Sequence, residues 1–93
     1  MSSKANWFKY KMDGAIITTP IKNVEDLRVV TNAKEVKITL RTQETQIMFS
    51  KKYETQVAAI IAYNNISCYL HRPEESDIPS FEDWELEVKW KKD

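Results

Sequence analysis

The chain contains one glycine, Gly14, and it follows Asp13. Asp-Gly is the preferred filling of a two-residue type I′ turn, in which both residues take positive φ. The flanking segments, Trp7 to Met12 and Ala15 to Thr19, both read as strands. Closing the turn pairs Met12 with Ala15, Tyr10 with Ile17 and Phe8 with Thr19, so these largely apolar residues share one face. Lys9, Lys11 and Thr18 fall on the other. Pro20 ends the second strand, because it has no N–H to give to a ladder. A single glycine also excludes the Gly-rich phosphate loops, which need several residues without a Cβ beside the phosphates.

Further along, Asn23 to Asp26 predicts one helical turn capped by Asn23, and Leu27 to Val30 a short strand or irregular edge. Glu35 to Arg41 alternates with period two: Val36, Ile38 and Leu40 face one way, Lys37, Thr39 and Arg41 the other. Gln46 to Ser50 answers it across a polar turn. Pairing Arg41 with Gln46 sets Leu40 opposite Ile47 and Ile38 opposite Phe49, a match that a one-residue slip would destroy.

Ser50 is read as the N-cap of a helix running to Asn64, with Tyr53, Val57, Ile60 and Ile61 as its core stripe. Asn64 and Asn65 suit a left-handed helix end. Ile66 to His71 alternates again and predicts a strand with Ile66, Cys68 and Leu70 inward. Residues 73–83 read as an acidic, proline-containing loop, closed by one turn over Ser80 to Asp83. Trp84 to Lys91 alternates over its whole length, with Trp84, Leu86, Val88 and Trp90 toward the core. The sum is a single α+β domain over residues 1–93, with 1–5 as a flexible N-terminus. It has a mostly antiparallel, bent sheet of five to six strands and one helix packed on one face.

The balance of 14 bases and 14 acids, with 42% hydrophobic residues, fits an ordinary globular chain and excludes a disordered one. No apolar run is long enough to span a bilayer, and no apolar signal region follows Met1. With Cys68 as the one cysteine no internal disulfide forms, so a reducing, cytoplasmic location is expected. No membrane partner, metal or cofactor is expected, because no ligand spacing or catalytic constellation is present. His71 stands alone, and a strand would put it and Cys68 on opposite faces.

Charge is uneven along the chain. Residues 1–52 carry ten bases and five acids; residues 53–93 carry four bases and nine acids. Pairing of strands from the two halves would neutralise this asymmetry. Within the acidic half, Glu74, Glu75, Asp77, Glu82, Asp83, Glu85 and Glu87 are interspersed with Ile78, Phe81 and Trp84, and no base interrupts them. Acids mixed with bulky apolar residues suit docking onto a basic, partly apolar protein surface. The competing reading is a solvated loop with Phe81 and Trp84 tucked into the core. On the helix, Thr55, Ala58, Ala59 and Ala62 form the expected outer face, with no charge between Thr55 and Asn64. Such a face fits a second chain, including another copy, or the chain's own 73–83 loop, or bare solvent.

These features point to a small non-enzymatic protein-interaction module, an inhibitor or regulator. It would bind through segment 74–87, the outer helix face or both; a phage- or virus-encoded protein would suit the size. The alternative is a module for single-stranded nucleic acid. It would use Lys9, Lys11, Lys89, Lys91 and Lys92 with Trp7, if the terminal strands lay side by side. Zero net charge and the inward direction of most of the aromatics weigh against it.

Overall fold

The Asp13-Gly14 turn closes the hairpin as the sequence predicts. Asp13 has φ 54° and Gly14 φ 74°. Strands β1 (Trp7–Met12) and β2 (Ala15–Pro20) pair with Met12 opposite Ala15, Tyr10 opposite Ile17 and Phe8 opposite Thr19. The computed structural model describes residues 7–72 and 77–90. The expected flexible segment 1–5 and the first residues of the acidic loop, 73–76, lie outside these.

The remaining strands build a second, four-stranded antiparallel sheet in the order β3-β4-β5-β6. These are β3 (Val24–Val30), β4 (Glu35–Arg41), β5 (Thr45–Lys52) and β6 (Glu85–Trp90). The β4–β5 register has Arg41 opposite Gln46, Leu40 opposite Ile47 and Ile38 opposite Phe49, as the alternation requires. The molecule is thus a small α+β domain of six strands and one helix, with its strands divided between two sheets. β1 has neighbours on both sides. The Lys11 N–H donates to the Pro79 carbonyl and the Phe81 N–H to the Lys11 carbonyl, each at 2.9 Å, so residues 79–81 run parallel beside it.

Four local expectations are corrected. The turn after Pro20 is a 3₁₀ turn over Ile21–Asn23 with Pro20 at its N-cap position, three residues before the expected Asn23 cap. The Asn23 side chain instead donates to Thr19 Oγ1 at 3.1 Å. Extended backbone then begins at Val24, which makes β3 longer than Leu27 to Val30 and places a register shift between Val24 and Asp26. The helix α1 spans Gln56–His71, not Ser50 to Asn64. Ser50 belongs to β5. The N-cap is Thr55, whose hydroxyl accepts from the Ala58 N–H at 3.0 Å. The stretch expected as a strand, Ile66 to His71, is the last six residues of the helix.

One face of the four-stranded sheet is covered and one is open. Val36, Ile38, Leu40 and Phe49 on the covered face are buried. α1 packs over β3 and β4. The hairpin reaches the sheet through Tyr10, whose ring lies 5.5 Å from that of Phe49. Phe8, Ala59, Ile66, Tyr69 and Phe81 complete one continuous core.

At Gly14 no atom lies within 4 Å of where a Cβ would sit, so a side chain there meets only the cost of positive φ. Gly14→Ala should therefore lower stability by about 1–2 kcal/mol without changing the fold. Urea denaturation checks this, and an unchanged midpoint would contradict the left-handed turn.

Candidate functional site

α1 carries no Asp, Glu, Lys or Arg from Gln56 to His71. Its sheet-facing side is Ala59, Ala62, Tyr63, Ile66, Tyr69 and Leu70, which recur at helical spacing through the core. This inverts the expected facing. Ala59 is fully buried and Ala62 partly so, because small residues let the helix lie close to the sheet. The residues expected as the core stripe point to solvent: Val57 is 66% exposed, Ile61 54% and Ile60 38%. Tyr53 lies before the helix and packs on the core. Thr55 is exposed and serves as the cap, and Ala58 is half-buried at the margin. Ala58, Ala59 and Ala62 thus do not form an outer face. The uncharged surface exists, but Val57, Ile60 and Ile61 supply it.

Helix geometry also moves Cys68. It is exposed, not inward, and shares the solvent side with Val57 and Ile61. His71 lies one turn on, on that same side rather than opposite. Its Nδ1–H donates to the Ser67 carbonyl at 2.8 Å. Among the described residues no three His, Cys, Asp or Glu come together as a metal site.

The acidic segment is split by the fold. Phe81 is buried at the centre of the core, so it is not a surface contact. Trp84 packs against it at 4.7 Å between ring centroids. Asp83 is paired with Lys51, whose ammonium also lies 5.6 Å above the Tyr53 ring. The hydrogen bond from Lys51 holds the Asp83 carboxyl below the usual carboxylate range, and the same bond raises Lys51. Asp77 and Glu82 are exposed near the β1 edge, whereas Glu85 and Glu87 stand on β6. Glu74 and Glu75 lie outside the described residues. Strands from the two halves of the chain do pair, since β6 joins β5.

The lysine strip is likewise divided. Trp7, Lys9 and Lys11 are exposed on one face of the hairpin. Lys89 belongs to the other sheet, in line with Glu85 and Glu87, so the two terminal strands are not partners. Lys91 and Lys92 lie outside the described residues. On the open face of the large sheet, Glu25 accepts from Arg41 at 2.9 Å and from Gln46 at 2.8 Å. These hydrogen bonds, Gln46 first, lower its carboxyl. Among the described residues, no helix is long and apolar enough to cross a membrane.

Two variants test the facing of α1. Ala59→Leu should overpack the core and cost about 1–3 kcal/mol, while Val57→Lys should stay within about 0.5 kcal/mol of wild type. Equal losses in thermal denaturation would contradict the orientation. The Lys51–Asp83 pair makes a second prediction. A lowered carboxyl contributes stability above its ordinary range and loses it as pH falls through the lowered value. A raised amine contributes below its ordinary range and loses it as pH rises through the raised one. In carboxyl-detected NMR, Asp83 should titrate below an ordinary Asp and move upward in Lys51→Met; no change between the two would refute the pairing.

The chain matches no protein-family model, no curated protein and no solved structure, so a functional reading rests on these surfaces alone.

Proposed function

We propose that this protein is a small non-enzymatic interaction module, a regulator or inhibitor that docks a partner protein on the solvent side of α1. The observation that carries the reading is the pair Val57 and Ile61, each more than half exposed on a helix without a charged residue. An exposed helix face usually carries charged side chains, whereas this one carries Val57, Ile60 and Ile61 beside uncharged polar residues. The helix is covered on one side only. Contiguous apolar surface of this kind marks interaction sites on soluble proteins.

Magnitudes set the mode of binding. Covering Val57, Ile60 and Ile61 contributes on the order of 4 kcal/mol, since each side chain is already partly shielded. Association costs about 4–15 kcal/mol in lost freedom. The apolar face supplies an anchor, and polar contacts at its margin must add the surplus. Gln56, Asn64 and Ser67 on α1, and the exposed acids Asp77 and Glu82 elsewhere, offer such groups to a partner. A complex built this way is reversible and exchanges readily.

The test places a photo-crosslinking residue at position 61, with a control at Thr18 on the hairpin. The expected result, in extract of the cells that encode the chain, is one defined protein adduct at position 61. It is competed by unlabelled wild type and lost in Val57→Lys, which keeps its native circular dichroism. Equal labelling from both positions, or none, would overturn the reading. A salt-sensitive response of Trp7 fluorescence to single-stranded DNA would favour the hairpin's Trp7, Lys9 and Lys11 face instead.

A further inference from the structure

Three strands leave an edge without a strand partner among the described residues: β2, β3 and β6. Two are blunted. β2 ends in Pro20, and β3 carries a register shift between Val24 and Asp26. β6 has neither device. It contains no proline, and its ladder to β5 runs in unbroken register from Ser50–Glu85 to Thr45–Trp90. It is also poorly covered. Leu86, Val88 and Trp90 point to the core side of the sheet, yet remain 46%, 41% and 69% exposed. A regular, open edge with one apolar face is a template for another strand, and Glu85, Glu87 and Lys89 on its other face restrict which strand can pair.

The sequence of β6 says which strand fits. Its order is Glu85, Leu86, Glu87, Val88, Lys89, Trp90. Laid antiparallel against a second copy and centred on Val88, it sets Val88 opposite Val88, Leu86 opposite Trp90 and Glu87 opposite Lys89. Apolar residues meet apolar ones on one face, and on the other Glu87 of each copy meets Lys89 of its partner. Centring one residue earlier or later opposes Glu87 to Glu87 or Lys89 to Lys89, which like charges disfavour. A register shifted by half that step would mix the two faces. We propose that β6 is a homodimer interface, pairing antiparallel across a two-fold axis at Val88 to join two four-stranded sheets into one. A two-fold contact is self-complementary by construction, which is what this strand's pattern provides. The inference is independent of the reading of α1, because it rests on a different element.

The test is sedimentation velocity of the full chain across a wide concentration range. Wild type should show a monomer–dimer equilibrium. Glu87→Lys and Lys89→Glu each place two like-charge pairs in the interface, and each should weaken the dimer about tenfold. Combining them restores opposite charges and should return the affinity to near wild type. Neither change strains the monomer, since within the sheet Glu87 faces Met48 and Lys89 faces Gln46. A chain that stays monomeric throughout overturns the proposal. So does a dimer indifferent to the single reversals, or one that the double variant does not recover. Ile61→Lys should leave the dimer intact; a dimer lost in that variant alone would place the second copy on α1, ending the β6 proposal without removing an interaction role for the helix.

Discussion

Phe81 stands where three parts of the chain meet. Its ring stacks on Phe49 of the large sheet at 4.7 Å and lies 5.4 Å from Tyr10 and 6.3 Å from Phe8 of the hairpin. On its far side Trp84 leads into β6. Beside this ring, Tyr10–Phe49 joins the hairpin to the four-stranded sheet and Phe8–Tyr69 joins it to α1. Loss of a buried Phe side chain costs about 3–5 kcal/mol. That is comparable with the whole stability of a domain this small. The backbone bonds between residues 79–81 and β1 hold the ring in place, and the Lys51–Asp83 pair closes the same segment onto the end of β5. Residues 79–84 of the acidic segment are therefore a structural strap before they are a surface.

With the strap fixed, the hairpin occupies part of the sheet's covered face, and α1 takes the part over β3 and β4. The helix approaches on Ala59 and Ala62, with Tyr63, Ile66, Tyr69 and Leu70 filling the space around them. Its larger aliphatic residues, Val57, Ile60 and Ile61, are left outside. Beyond the hairpin, β6 has its apolar side only partly covered. Among the described residues, uncovered apolar surface thus falls on the helix, on the β6 edge and, at Trp7, Ile16 and Ile17, on the hairpin.

Local patterns made much of this readable. Asp13-Gly14 gave the hairpin and its register, and the alternation of Val36, Ile38 and Leu40 against Ile47 and Phe49 gave the central pair. The helix misled for two physical reasons. Ile66, Cys68 and Leu70 alternate with period two by coincidence, while Ile66, Tyr69 and Leu70 also continue the helical spacing of Ala59, Ala62 and Tyr63. The second pattern prevails because it extends one buried stripe across the sheet. In addition, size misassigned the faces: alanines pack where the backbone approaches closely, although bulkier residues look more like core. The contacts of Lys11 with residues 79–81 and of Lys51 with Asp83 link distant positions, and no local spacing announces them.

The central claim is that the free protein presents Val57, Ile60 and Ile61 to solvent while Ile38 and Ile66 are sealed inside. Methyl NMR with a soluble paramagnetic agent tests it directly. The account predicts strong broadening of the Val57, Ile60 and Ile61 methyl signals and sharp, protected signals from Ile38 and Ile66. Protection of Val57 and Ile61 with broadening of Ile66 would mean that the helix turns its other face to the sheet, and the docking surface would lose its basis.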